Sequence, residues 1–234
     1  MAVEQFRLKT CVDFKIRDTE PHYILVKKHY GCYSLVGNQE IADQVLSVGD
    51  GCDTVDTIEH EFLHALGFWH EHTRPDRDDH IVVMWNNIQT DQQHNFVKQT
   101  FAESTTQGTE YDYKSVMHYD KNAFSNGQGE TMVTVLPEFQ DIIGQRQEMS
   151  PTDVLELNSL YGCSKCSFFF FIIQHIYKCD LIRQNESKVT DSNFKIQANF
   201  GKKCVFFLMF IKQKVFKDHL CKYDEPDNYV KVKI

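Results

Sequence analysis

The sequence predicts an α+β fold in which short strands and helices fill the first half of the chain and an irregular second half ends in one more helix. Three observations carry this prediction. Before residue 50, several segments alternate apolar and polar residues, as half-buried strands do. Apolar residues then recur at helical spacing up to Gly67. A further helical pattern covers residues 151 to 161 and starts with a proline.

The first elements alternate between helix and strand patterns. Residues 2 to 10 place Val3, Phe6 and Leu8 among charged residues, which is typical of the end of a helix. Residues 12 to 16 alternate with a period of two, and residues 23 to 27 and 44 to 48 are further strand candidates. The pair Asp50-Gly51 then indicates a turn.

A central helix follows that turn. Thr57 is placed to cap its start, and Gly67 is placed to end it. Its apolar positions fit a period of 3.6 residues: Ile58, Phe62, Leu63 and Leu66.

The second half shows weaker patterns. Residues 81 to 88 form an ambiguous apolar segment, residues 92 to 98 a weak helix and residues 100 to 112 a polar loop. The last clear pattern is the helix of residues 151 to 161, with Ser150 as its cap and Pro151 at its first position.

Composition limits the function classes. The chain has 234 residues, a net charge of −8 and 41% hydrophobic residues, enough for one domain with a short appendage. The acidic balance and the lack of a basic stripe argue against nucleic-acid binding. The longest apolar run, residues 204 to 211, is too short for a transmembrane helix. The N-terminus lacks the apolar core of a signal peptide.

Eight cysteines favour an oxidising compartment over the cytosol. Four of them are candidate disulfide partners, and the sequence alone allows three pairings among these four: Cys11, Cys32, Cys52 and Cys163. Buried free thiols are the alternative.

Two histidines of the central helix predict a metal site. His60 and His64 are four residues apart, so a helix places both imidazoles on one face, one turn apart. Zinc accepts neutral imidazole nitrogen at about 2.0–2.1 Å. Glu61 projects about 100° away from His60, which suits a general base for water at the metal.

A third ligand comes from beyond the helix. Gly67 lets the chain leave through a left-handed conformation, and His70 follows three residues later, where it can return to the metal. Three histidines with one open position are the arrangement of catalytic zinc. The alternative is a histidine-rich amphipathic helix without a metal.

A methionine turn completes a recognised pattern. The segment SVMHY, residues 115 to 119, contains Met117 and lies beyond the HExxHxxGxxH motif. Together they form the metzincin signature. The stretches HEFLHALGFWHEHTRPDRD and SVMHY resemble the astacin family of zinc endopeptidases, and RLKTCVDF, GCYSLVGNQ and YDYKSVMHY resemble its meprin branch. The resemblance covers about residues 3 to 163.

This resemblance implies a metzincin fold, with a twisted mixed sheet, an active-site helix, an irregular C-terminal subdomain and a substrate cleft between the two halves. It implies one zinc ion per chain, protein or peptide substrates, and a secreted or cell-surface location. It assigns the following roles: His60, His64 and His70 as zinc ligands, Glu61 as catalytic base, Tyr119 as stabiliser of the tetrahedral intermediate, and Met117 as the apolar floor of the Met-turn.

The resemblance also assigns a specificity residue and two disulfides. Arg146 matches a meprin arginine that favours acidic residues just after the scissile bond, although a solvated surface arginine is the alternative. The implied disulfides are Cys11–Cys163 and Cys32–Cys52. His72, His80, His94 and His118 are interpreted as ordinary surface or supporting histidines.

Two domains are expected. Residues 1 to 163 are the peptidase domain, which lacks the start that the family has, and residues 164 to 234 form an unassigned tail, disordered or artefactual. The rival function is a non-catalytic, truncated zinc-binding domain. The oligomeric state is not predicted.

Overall fold

The computed structural model describes residues 2 to 163 and the short strand at 230 and 231. Its helices and strands, in chain order, are α1 (Ala2–Lys9), β1 (Val12–Asp13), β2 (Ile24–Lys27), β3 (Cys32–Ser34), β4 (Gln44–Val48), α2 (Val55–Ala65), β5 (Ile81–Val83), β6 (Met132–Thr134), α3 (Pro151–Leu160) and β7 (Val230–Lys231). Residues 2 to 162 belong to one compact unit, together with the strand at 230 and 231. The expected tail lies outside the described residues except for β7.

The main sheet has the order β2-β4-β3 and mixes parallel and antiparallel pairing, as the family resemblance implies. Strand β2 pairs with β4 in parallel, with Ile24 opposite Gln44. Strand β3 pairs with β4 antiparallel, with Cys32 opposite Val48. Strand β4 carries the apolar residues that pack under α2, so the sheet supports the helix that holds the two predicted metal ligands.

Two hydrophobic clusters fill the compact unit. The first cluster joins α1, β4, α2 and α3, and its buried residues include Phe6, Leu46, Leu63, Met117 and Leu157. The second cluster lies under the irregular half, and its buried residues include Ile81, Phe96, Tyr111, Met132 and Ile143. Between α2 and α3, the only paired strands within residues 66 to 150 are β5 and β6, accompanied by short 3-10 turns. The predicted irregular second half is therefore confirmed.

Several predicted boundaries are wrong. Helix α2 begins at Val55, with Thr54 as its N-cap, because the chain turns three residues earlier than Thr57. The predicted strand at 12 to 16 shortens to β1. The ambiguous segment at 81 to 88 divides into β5 and a 3-10 turn at Trp85–Asn87. By contrast, α3 has a complete capping box between Ser150 and Asp153, with Pro151 in its first turn.

No helix among the described residues is long and apolar enough to cross a membrane.

Candidate metal centre

Helix α2 brings two imidazoles together. His60 and His64 are each 6% exposed and lie one turn apart, with ring centroids separated by 4.7 Å. Phe62, Leu63 and Leu66 anchor the helix in the first hydrophobic cluster. Both histidines are therefore buried side chains on a helix that packs against the first hydrophobic cluster.

The end of α2 returns the third histidine to the same place. Gly67 has φ +106°, a conformation that costs other residues more. Its N–H donates to the His64 carbonyl at 2.9 Å, and the Phe68 N–H donates to the Leu63 carbonyl at 3.0 Å, the two bonds of a Schellman ending. The chain then runs extended through His70, whose Nε2 lies 3.2 Å from Nε2 of His60 and 3.1 Å from Nε2 of His64.

Backbone carbonyls fix the tautomers of the two helical histidines. Nδ1 of His60 lies 2.8 Å from the Val116 carbonyl oxygen, and Nδ1 of His64 lies 2.7 Å from that of Phe68. A carbonyl only accepts, so both Nδ1 atoms carry a proton and donate it. Both Nε2 atoms therefore present lone pairs towards Nε2 of His70.

This donor set fits zinc. Ligands at about 2.0–2.1 Å in a tetrahedron lie roughly 3.3–3.4 Å apart, close to the Nε2 separations found here. Burial lowers the pKa of His60 to about 3 and that of His64 to about 4, which keeps both rings neutral, as metal ligation requires. Within the described residues, these three histidines form the one group of at least three side chains that could hold a metal ion.

Glu61 follows His60 in helix α2 and has a buried side chain. The residue is 5% exposed, and its Oε2 has no hydrogen-bond partner among the described residues. Burial raises the pKa of Glu61 to about 7, while the positive charge of Arg146 opposes that rise. A carboxyl group with a pKa near neutrality can both accept and release a proton at physiological pH.

Tyr119 reaches the histidines from the irregular half of the molecule. Its ring centroid lies 4.4 Å from that of His70, and the ring also contacts His72, stacked at 4.1 Å, Phe96 and Phe124. Burial and the nearby Glu61 raise the pKa of Tyr119 to about 12, so the phenol stays protonated and can donate a hydrogen bond.

Met117 and two of the supporting histidines are buried. Met117 is 1% exposed and belongs to the first hydrophobic cluster, as a Met-turn floor requires. His72 and His118 are fully buried, so the surface interpretation is wrong for both and the supporting one fits. The His118 Nδ1 bonds to the Tyr119 carbonyl at 2.7 Å, and its Nε2 accepts from the Tyr111 hydroxyl at 2.7 Å.

Arg146 lies on an exposed segment between the irregular half and α3. The segment is fixed at Gly144, where φ is +79° and an added Cβ would collide with the backbone of Asp120. The Gln145 side chain also donates to the Lys114 carbonyl at 2.8 Å. Arg146 thus extends into solvent near the histidines, close enough for its charge to act on Glu61.

The cysteines near these elements are oxidised. Cys32 and Cys52 form a disulfide that links β3 to the segment before α2. Cys11 and Cys163 are each disulfide-bonded, and their pairing with each other stays a prediction.

Sequence reasoning missed the backbone carbonyls of Val116 and Phe68, which orient the ligands. No sequence signal marks them, because every residue carries a carbonyl and only the fold decides which ones meet an imidazole. Asp153, which lies further from the metal ligands, was likewise missed, although its position in the capping box of α3 is visible in the sequence.

Comparisons with known proteins agree with this geometry. Residues 1–162 match the family profile described as Astacin, a family of peptidases. Meprin A subunit beta of Mus musculus is 50% identical over 168 residues, covering 72% of this chain and 24% of the mouse protein. Zinc metalloproteinase nas-6 of Caenorhabditis elegans is 43% identical over 162 residues, covering 69% of this chain and 47% of that protein.

A solved structure shares the fold. High choriolytic enzyme 1, a hatching enzyme zinc-protease from the medaka Oryzias latipes, superposes with a TM-score of 0.65 at 40% identity, covering 69% of this chain and 80% of the enzyme. The chain spans about a quarter of the length of the meprin subunits that it matches. On the match over residues 1–162, the chain belongs to the astacin family of peptidases.

Proposed function

We propose that this chain is a zinc-dependent endopeptidase that hydrolyses peptide bonds in extracellular proteins or peptides. One observation carries the proposal: three neutral imidazoles converge, with Nε2 of His70 3.2 Å from that of His60 and 3.1 Å from that of His64, next to a buried glutamate and a partly buried tyrosine. Zinc on three histidines with an open position acts as a Lewis acid and lowers the pKa of a bound water to about 7. The activity is assigned to residues 1 to 163.

Glu61 is the proposed general base. With its pKa near 7 and an oxygen free of other partners among the described residues, it accepts a proton from the attacking water. It then returns the proton to the amine of the departing peptide, which a group of lower pKa would do less readily.

The Tyr119 hydroxyl is the proposed oxyanion donor. Its high pKa keeps the proton on the phenol, and its place beside His70 suits a hydrogen bond to the carbonyl oxygen of the scissile peptide as that oxygen gains negative charge. Met117 contributes packing below the histidines, not a proton or a ligand.

Arg146 is the proposed determinant of a preference for acidic residues just after the scissile bond. The residue is exposed, and its guanidinium forms no ion pair with another described residue. Its charge acts on both Glu61 and Tyr119, which is consistent with electrostatic reach to a substrate held between them. Its solvent exposure limits the strength of this preference.

The test uses the whole chain, produced under oxidising conditions. We expect one zinc per chain by atomic emission, and cleavage of a peptide with aspartate after the scissile bond. Glu61→Gln is the matched control, because it keeps the size of the side chain and removes the base. Zinc binding with no cleavage above that control would instead establish the rival, a non-catalytic zinc-binding domain.

A further inference from the structure

Asp153 lies in the first turn of α3, away from the metal ligands, and is 3% exposed. Both of its carboxylate oxygens are engaged. Oδ1 accepts from the Ser115 hydroxyl at 2.6 Å, and Oδ2 accepts from the N–H groups of Val116 at 3.0 Å and Ser150 at 2.8 Å. Burial raises the pKa of Asp153 to about 6. Burying a smaller neutral side chain here would cost less desolvation free energy than burying the Asp153 carboxylate. A capping role alone does not account for the contacts with Ser115 and Val116.

These contacts hold two consecutive peptide groups of the Met-turn. Oδ2 of Asp153 binds the N–H of Val116 directly. Because the Ser115 hydroxyl donates to Asp153, its oxygen is free to accept from the Met117 N–H, at 3.0 Å. The peptide group between Val116 and Met117 therefore has its N–H fixed on the side of Ser115.

That peptide group also carries the carbonyl that orients a metal ligand. In a planar trans peptide, the N–H and C=O point in opposite directions, so fixing the Met117 N–H fixes the Val116 C=O. The Val116 oxygen accepts from Nδ1 of His60 at 2.8 Å. The chain of contacts therefore runs from α3 through the Met-turn to the imidazole on α2.

We propose that Asp153 is a positioning residue of the metal site: by holding both peptide groups of the Met-turn, it sets the tautomer and the ring orientation of His60. This inference rests on the proposed zinc-binding function. Hydrogen-bond partners of metal-ligating histidines commonly change metal affinity by about 10- to 100-fold when they are removed. Asp153 acts on His60 indirectly, through its contacts with Ser115 and Val116 of the Met-turn.

The test compares zinc affinity and fold stability in matched variants. Asp153→Ala removes the hydrogen bonds to Ser115 and Val116 of the Met-turn. Asp153→Asn keeps the shape of the side chain but replaces one acceptor oxygen with an NH₂ group. Ser150→Ala is the control, because it removes the hydroxyl that caps the Thr152 and Asp153 N–H groups and leaves the Asp153 contacts to the turn in place. Ser115→Ala is a second probe of the same chain, should Asp153→Ala fail to fold.

We expect Asp153→Ala to weaken zinc binding by roughly 10- to 100-fold in competition with a chromophoric chelator, and Asp153→Asn and Ser115→Ala to weaken it less. Ser150→Ala should lower the urea midpoint of the metal-free protein but keep the zinc affinity of the wild type. Folded Asp153 and Ser115 variants that bind zinc as tightly as Ser150→Ala would overturn the inference.

A second measurement separates this inference from the proposed function. Long-range ¹⁵N–¹H spectra of the metal-free protein report which nitrogen of His60 carries the proton, and His60→Gln assigns the signal. The wild type should show the proton on Nδ1, and Asp153→Ala should show a mixture of tautomers. If the wild type binds no zinc, the proposed function fails, and the role of Asp153 is then decided by the His60 spectrum alone. An Asp153→Ala spectrum with the same His60 tautomer as the wild type would refute the role of Asp153.

Discussion

Burial sets the protonation of the side chains around the candidate metal centre. It raises the pKa of Glu61 to about 7 and lowers the pKa of His60 to about 3, because the charged form of each loses solvation. The same cause lowers the pKa of His118 to about 4, while its bond to the Tyr119 carbonyl opposes the shift. A single physical effect thus disfavours the charged form of the Glu61 carboxyl group and of the imidazoles alike.

The buried His118 predicts a specific dependence of stability on pH. Its folded-state pKa is about 4 and its unfolded value about 6.5, so between these values the unfolded chain binds a proton that the native protein does not. Stability is therefore lost as pH falls from 6.5 to 4. In urea titrations of the metal-free protein, His118→Asn should reduce the slope of unfolding free energy in that window by about 1.4 kcal/mol per pH unit. Above a pH of about 7.5 the two curves should run parallel, and parallel curves throughout would contradict the assignment.

Arg146 predicts a change of substrate preference rather than of turnover. Arg146→Ala should lower kcat/KM roughly two- to fivefold for a peptide with aspartate after the scissile bond, since an exposed ion pair contributes little. The same peptide with alanine at that position is the control and should be cut at an unchanged rate. Equal losses on both peptides would show that Arg146 supports the fold instead of reading the substrate.

At the scale of elements, the sequence is most informative where several local signals agree. Helix α3 combines a serine cap, a proline in the first turn and an acidic residue that completes the capping box, and its start is predicted correctly. Helix α2 has the predicted face and the predicted end at Gly67, but two threonines compete for the start and Thr54 holds that position. Strands β3 and β6 escape prediction because three residues are too few for a period to show.

The candidate site likewise has a part that the sequence predicts and a part that it does not. His60, Glu61, His64 and His70 can be predicted because their side chains suit metal chemistry and lie at fixed spacings, whereas Tyr119 is implied only by the family resemblance. The contacts that orient them cannot, because they join residues far apart in the chain through backbone groups, as between His60 and Val116.

Two glycines that follow helices, Gly67 after α2 and Gly162 after α3, predict different effects on zinc binding. Gly67 has φ +106° and Gly162 has φ +61°, so alanine at either position adds a strain of about 1–2 kcal/mol. A Cβ at Gly67 meets only Leu160 at 3.8 Å, and one at Gly162 meets nothing within 4 Å. Both variants should lower the free energy of unfolding by similar amounts, but only Gly67→Ala should weaken zinc binding, because Gly67 lies between His64 and His70. Equal zinc affinities, measured by chelator competition, would show that the turn adapts without moving His70.

At the scale of the whole molecule, the Cys32–Cys52 disulfide ties the main sheet to the segment that enters α2. It closes a separation of 20 residues. Chain-entropy reasoning gives such a loop a stabilisation of about 3 kcal/mol. The double variant Cys32→Ala/Cys52→Ala should lower the free energy of unfolding by that amount in urea, and a loss below about 1 kcal/mol would mean that the unfolded chain is already constrained there.

The side chains of the candidate site pack against two different hydrophobic clusters. His60 and His64 stand on a helix rooted in the first cluster, together with Met117, whereas Tyr119 packs against the second, only two residues further along the chain. The Tyr119 ring and the imidazoles of α2 are therefore held by two different hydrophobic clusters. A displacement of one cluster relative to the other would therefore change the distance between the Tyr119 ring and the two helical imidazoles.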